Sequence, residues 1–107
     1  MKKRREEAAL AFDLGGTKLH AALVDGEGAI LADRLLATRK EEGALLDSFR
    51  RAAGELLDQV PRGRRVVATG VGTAGVVKPA GGVITYAPNL PLDDFALGDH
   101  LARYCPA

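Results

Sequence analysis

A carboxylate, two glycines, a hydroxyl and an ammonium group come close together at Asp13, Gly15, Gly16, Thr17 and Lys18, inside the otherwise apolar stretch LAFDLGGTKLHAALVD. A Gly-Gly pair between two strands permits a tight reversal with positive φ. Such a turn leaves backbone N–H groups facing outward, a concavity suited to anions. Thr17 adds a hydroxyl donor and Lys18 a point charge, and both serve a phosphate. Asp13 has the opposite sign. A carboxylate beside phosphates makes chemical sense when a Mg²⁺ ion lies between them. Two readings fit these residues. One is a metal–phosphate site. The other is a plain Gly-Gly hairpin in which Asp13 makes a turn hydrogen bond and Lys18 is solvated. The stretch alone leaves both open.

Two competing phosphate motifs can be tested. A P-loop requires G-x-x-x-x-G-K-[ST], and here the lysine follows Gly-Gly-Thr, so the pattern fails. Residues 70–75, GVGTAG, match G-x-G-x-x-G directly after an apolar stretch. A dinucleotide fold also needs a helix to open there, whereas VVKPAGG follows, with a proline and two glycines. Asp93 and Asp94 stand at about the right distance for a ribose carboxylate, but they follow a proline-rich loop. The glycines up to Gly75 therefore serve either a close approach of backbone to a ligand or a tight turn. Asn89, held between Pro88 and Pro91, offers donors and an acceptor suited to sugar hydroxyls. An Asx turn serving its own loop is the simpler reading. His20 and His100 are isolated, and no Cys/His cluster exists, so no zinc site is expected in this chain.

These residues need elements to position them. AALAFDL (8–14) and LHAALVD (19–25) read as strands, and AILADRLLAT (29–38) as a third, joined to the second by a turn at Asp25-Gly26-Glu27-Gly28. Thr38 to Glu41 has capping-box spacing. Behind it Leu45, Leu46, Phe49, Ala52, Ala53, Leu56, Leu57 and Val60 form one apolar helical stripe, with Asp47–Arg51 and Arg51–Glu55 as i,i+4 pairs on the wet side. Pro61 and Gly63 end that helix. RRVVATGVG (64–72) reads as a buried strand, Pro79–Gly82 as a turn, VITYA as a short strand and LGDHLARY (97–104) as a short helix. The pattern is α/β with a mixed sheet.

Composition narrows the classes. The 107 residues fit a single domain (1–107), with residues 1–7 expected as a disordered tail. The net charge of +1 predicts neither nucleic acid nor an anionic membrane as partner. The absence of tryptophan disfavours a single-stranded nucleic-acid binder, which needs stacking platforms. No segment reaches the ~20 apolar residues of a membrane helix. The one cysteine, Cys105, cannot support an internal disulfide framework and fits a reducing compartment. The apolar run after MKKRREE is too short for a signal peptide.

Three segments in order, LAFDLGGTKLHAALVDGEG, VVATGVGTAGVV and GGVITYAPNLP, resemble the N-terminal part of the ROK family of repressors and sugar kinases, which includes bacterial glucokinases. The resemblance runs from about Leu10 to Tyr104. It implies an N-terminal lobe of the actin-like ATPase (ribonuclease H-like) fold. It also implies a cytoplasmic, ATP- and Mg²⁺-dependent hexose kinase that moves the γ-phosphate to a sugar hydroxyl. By position, Asp13, Gly15, Gly16, Thr17 and Lys18 match the family's first phosphate loop, with Asp13 acting on the metal indirectly. Gly75 matches a glycine whose backbone lies against the sugar, and Asn89 an asparagine that bonds sugar hydroxyls. Ala74 departs from the family, where proline is frequent. The catalytic aspartate of the family's Glu-Asn-Asp stretch is expected beyond Ala107, with the second lobe and its Cys-rich zinc motif. No catalytic residue is therefore expected in this chain, and the chain alone is expected to be inactive. Two other readings follow. One is a sugar-responsive regulator, disfavoured because only about a dozen residues precede Asp13. The other is a non-enzymatic interaction module that self-associates through an unpaired sheet edge.

Overall fold

The computed structural model describes residues 6–73, 76–78, 83–86 and 95–105. Four strands form one sheet: β1 (Glu7–Leu14), β2 (Lys18–Asp25), β3 (Ile30–Ala37) and β4 (Arg65–Thr73), in the order β3-β2-β1-β4. β1 pairs antiparallel with β2 and parallel with β4, and β2 pairs antiparallel with β3. The sheet is mixed, as expected. Side chains alternate between faces along a strand, so Leu10, Phe12 and Leu14 share a face with their β2 partners Leu23, Ala21 and Leu19. All six are buried.

The helix α1 (Glu42–Leu57) covers that face with Leu45, Phe49, Ala52, Ala53 and Leu56. Phe49 meets Phe12 with ring centroids 5.1 Å apart. The apolar stripe read from the sequence is thus the packing face. Its polar contacts differ from expectation. Asp47 pairs with Arg50, three residues on, at 3.5 Å, and Glu55 pairs across to Arg34 of β3 at 3.0 Å. The expected capping box is also absent. Glu41 is the N-cap and makes no side-chain cap bond, and the Thr38 hydroxyl, expected to cap the helix, donates to the Gly15 carbonyl instead.

The β2–β3 hairpin forms where Asp25-Gly26 predicts it. Asp25 Oδ1 accepts the N–H groups of Glu27 and Ala29, both at 2.9 Å. The Ala29 amide is the main reason the Asp25 carboxyl sits below its ordinary pKa. The left-handed residue of this loop is Gly28, with φ of 86°.

β4 departs from the buried strand the sequence suggests. It is the edge of the described sheet, and Val67 and Val71 are 38% and 36% exposed. Gly70 and Gly72 lie inside it rather than in a turn, and the next described element is a strand, not a helix. That excludes the dinucleotide-fold reading of GVGTAG. A second, antiparallel sheet has the order β5 (Val76–Lys78), β6 (Val83–Tyr86), β7 (Phe95–Ala96), followed by α2 (Leu97–Leu101). α2 buries Leu97 and Leu101, and Cys105 behind it is buried, which raises its thiol pKa. The turn at 79–82, the loop at 88–91, Gly75 and Asn89 lie outside the described residues.

Candidate functional site

β1 runs through the middle of the sheet and delivers two neighbouring side chains to opposite faces. Leu14 enters the core, and Asp13 opens onto the face that α1 does not cover. The register sets Asp13 between His20 of β2 and Gly72 of β4. The His20 ring already bonds Asp33, with Nε2 and Oδ2 2.8 Å apart. The Asp13 carboxylate is exposed and makes no hydrogen bond or ion pair among the described residues. Gly72 leaves its flank open: a Cβ there would lie 3.8 Å from Asp13 Oδ1.

The chain reverses directly after β1. The Gly15 N–H donates to the Lys18 carbonyl at 2.9 Å and closes the turn. The Thr38 hydroxyl donates to the Gly15 carbonyl at 2.8 Å. The Lys40 ammonium donates to the Gly16 carbonyl. The Thr38 N–H donates to the Thr17 carbonyl at 2.8 Å. Four successive carbonyls, from Gly15 to Lys18, therefore accept bonds from the protein itself. The N–H groups of Gly16 and Thr17 have no acceptor among the described residues.

The positive φ expected of the Gly-Gly pair is not found. Neither Gly15 nor Gly16 lies in the left-handed region, where only Gly28 and Gly63 occur among the described residues. Glycine at position 15 is needed for closeness instead. A Cβ would stand 3.3 Å from the Lys18 carbonyl oxygen, tighter than side chains normally tolerate. Thr17 and Lys18 are exposed, as a ligand-facing turn requires.

Sequence reading missed Thr38 and Lys40 as parts of this turn. The spacing of Thr38 pointed to helix capping instead, and Lys40 carried no signal of its own. Thr38 is only 6% exposed, and a buried hydroxyl needs a partner. The Gly15 carbonyl, 23 residues away, is that partner.

Among the described residues, no group of three or more His, Cys, Asp or Glu side chains is placed to hold a metal. Magnesium is commonly held by one or two carboxylates together with phosphate oxygens and water. Asp13, unpartnered among the described residues and beside the Gly15–Lys18 turn, fits that donor set. A separate cleft of about 410 Å³ lies between α1 and α2, lined by residues that include Arg50, His100, Arg103 and Tyr104. Burial, with Arg103 second, lowers the His100 pKa. Burial raises that of Tyr104.

Comparison with known proteins decides the family. The model of the ROK family matches residues 9–105. The chain belongs to the ROK family. It is 33% identical over 81 residues to a glucokinase of Streptomyces coelicolor, covering 76% of this chain and 24% of that enzyme. Its fold superposes on a ROK family glucokinase of Streptomyces griseus, solved with glucose and AMPPNP. The TM-score is 0.78 and the identity 30%, over 90% of this chain and 30% of that one. A ROK family transcriptional regulator, a homolog of the E. coli MLC protein, shares the fold with a TM-score of 0.79 at 20% identity, over 96% of this chain and 27% of that one. The chain thus spans about a quarter to a third of the length of these ROK proteins. The architecture seen here is that of a partial ROK domain of the actin-like ATPase type.

Proposed function

We propose that the chain carries the phosphate-binding turn of an ATP-dependent sugar kinase of the glucokinase type. The observation that carries this reading is a juxtaposition. Among the described residues, two backbone N–H groups without acceptors, at Gly16 and Thr17, follow a carboxylate without a partner, at Asp13. N–H groups attract phosphate oxygens. The carboxylate serves a Mg²⁺ ion shared with those oxygens. Thr17 and Lys18 add a hydroxyl and a positive charge. Phosphoryl transfer depends on such positioning and charge neutralisation more than on covalent chemistry by the protein.

The parallel pairing of β1 and β4 supports a sugar site next to the turn. Thr73, the last residue of β4, stands beside Leu14. The chain therefore leaves β4 at the same end of the sheet where the turn lies. In this reading Gly75 and Asn89 orient the sugar. The glucokinase likeness at 33% identity supports kinase over regulator, since the regulator at 20% shares the fold alone.

The test is calorimetric titration of the chain with AMPPNP, with and without Mg²⁺. Wild type is expected to bind more tightly with magnesium, and Asp13→Asn to lose that enhancement. An undiminished magnesium effect in Asp13→Asn would remove the assigned role.

A further inference from the structure

We infer that Thr38 and Lys40 are positioning residues for the phosphate turn, and that they aim its N–H groups by fixing its carbonyls. The inference rests on the phosphate-turn reading above. It starts from the geometry of the peptide unit. A trans peptide is planar, with its C=O and the next residue's N–H pointing in opposite directions, and no peptide bond described here is cis. Tying down the Gly15 carbonyl therefore fixes the Gly16 N–H on the far side. Tying down the Gly16 carbonyl fixes the Thr17 N–H in the same way.

Thr38 reaches the turn from the core side of the sheet. Thr38 comes two residues after Leu36, the register partner of core residue Leu19, so it belongs to the face that α1 covers. Asp13 and Lys18 lie on the other face. A Gly15 carbonyl drawn toward Thr38 leaves the Gly16 N–H aimed away from it, toward the side of the carboxylate, and a Gly16 carbonyl drawn toward Lys40 leaves the Thr17 N–H aimed away from Lys40. Thr38 makes two of the three ties, one by its hydroxyl and one by its backbone. Substitution can remove only the first. The Lys40 ammonium also places a second positive charge at the turn, 22 residues from Lys18 in sequence. Glu41, the N-cap of α1, follows directly, so the helix that closes the core also anchors the tethers.

The experiment uses the 107-residue chain labelled with ¹⁵N and inorganic triphosphate with Mg²⁺ as the probe. Two readouts are taken: the orientation of the Gly16 and Thr17 N–H vectors from residual dipolar couplings without ligand, and triphosphate affinity from amide shifts. Thr38→Val is expected to reorient the Gly16 vector while core couplings stay fixed. It is also expected to weaken triphosphate about fivefold or more, the change one hydrogen bond supports. Thr38→Ser, which keeps the donor, restores both. Lys40 is exposed, so Lys40→Met preserves the fold even where Thr38→Val does not, and it is expected to reorient the Thr17 vector. If wild type binds triphosphate at the turn and neither variant changes vectors or affinity, the positioning role is wrong and the phosphate turn stands. If wild type shows no shifts at Gly16 and Thr17, the phosphate turn itself is wrong, and this inference falls with it.

Discussion

Replacing Phe49 with alanine removes the ring that joins α1 to the sheet. Phe49 is fully buried, and its ring lies 5.1 Å from that of Phe12. Truncating a buried phenylalanine costs about 3–5 kcal/mol, through lost transfer energy and the cavity left behind. A domain of this size holds roughly 5–16 kcal/mol at ~0.05–0.15 kcal/mol per residue. The substitution therefore removes a large fraction of the total, about two to three and a half powers of ten in the folding equilibrium. Phe49→Leu keeps most of the volume and is expected to cost below about 1.5 kcal/mol plus the aromatic pairing. Urea unfolding followed by circular dichroism measures both. The effect reaches the site as well, because α1 begins directly after the tethers Thr38 and Lys40. In Phe49→Leu, amide exchange is expected to quicken in α1 and at Thr38 before it does in the β1–β2 pairing. A cost under about 1 kcal/mol for Phe49→Ala would mean that α1 does not rest on the sheet as described, and the anchoring of the tethers would fail with it.

Two further predictions concern stability. Gly28→Ala forces a Cβ into the left-handed region, where nothing lies within 4 Å to clash, so its cost is backbone strain alone, about 1–2 kcal/mol; Gly54→Ala, mid-helix with an equally open surround, is expected to stabilise instead, and thermal melts of the two compare the signs directly. The folded-state pKa of His100 lies below its unfolded value of 6.5, chiefly through burial. Its contribution is therefore complete above pH 6.5 and is lost as pH falls through the folded pKa. Wild type is expected to lose more stability than His100→Gln between pH 7.5 and 5, and equal losses would contradict the shift.

Local patterns in the sequence recorded burial, and burial is what they delivered. The apolar run of Leu10, Phe12 and Leu14 and the 3.6-residue stripe from Leu45 to Leu56 each mark a face that must leave water, and they pack together. The Gly-Gly-Thr-Lys reversal is legible because its residue types pack poorly inside an apolar run. Partnerships across the chain were not legible. Thr38 has capping-box spacing, yet its hydroxyl goes to a carbonyl 23 residues back, because the β2–β3 register brings that carbonyl within reach. Glu55 leaves the helical pair with Arg51 for Arg34, because α1 crosses β3. The residues RVVATGVGT look buried by composition, but they form an edge strand whose valines are partly exposed, since exposure depends on sheet order rather than on residue type. Positive φ occurs at Gly28 rather than in the Gly15-Gly16 pair, because a glycine can serve close approach as readily as handedness.

In the proposed reading, nucleotide phosphates and their metal meet this chain at Asp13 and the turn that follows it. Replacing Mg²⁺ with paramagnetic Mn²⁺ in the presence of AMPPNP tests it most directly, since the ion broadens the amide signals around it. Broadening is expected to centre on Asp13 to Lys18 and to be abolished in Asp13→Asn. Broadening centred elsewhere, or none that depends on the nucleotide, would contradict it.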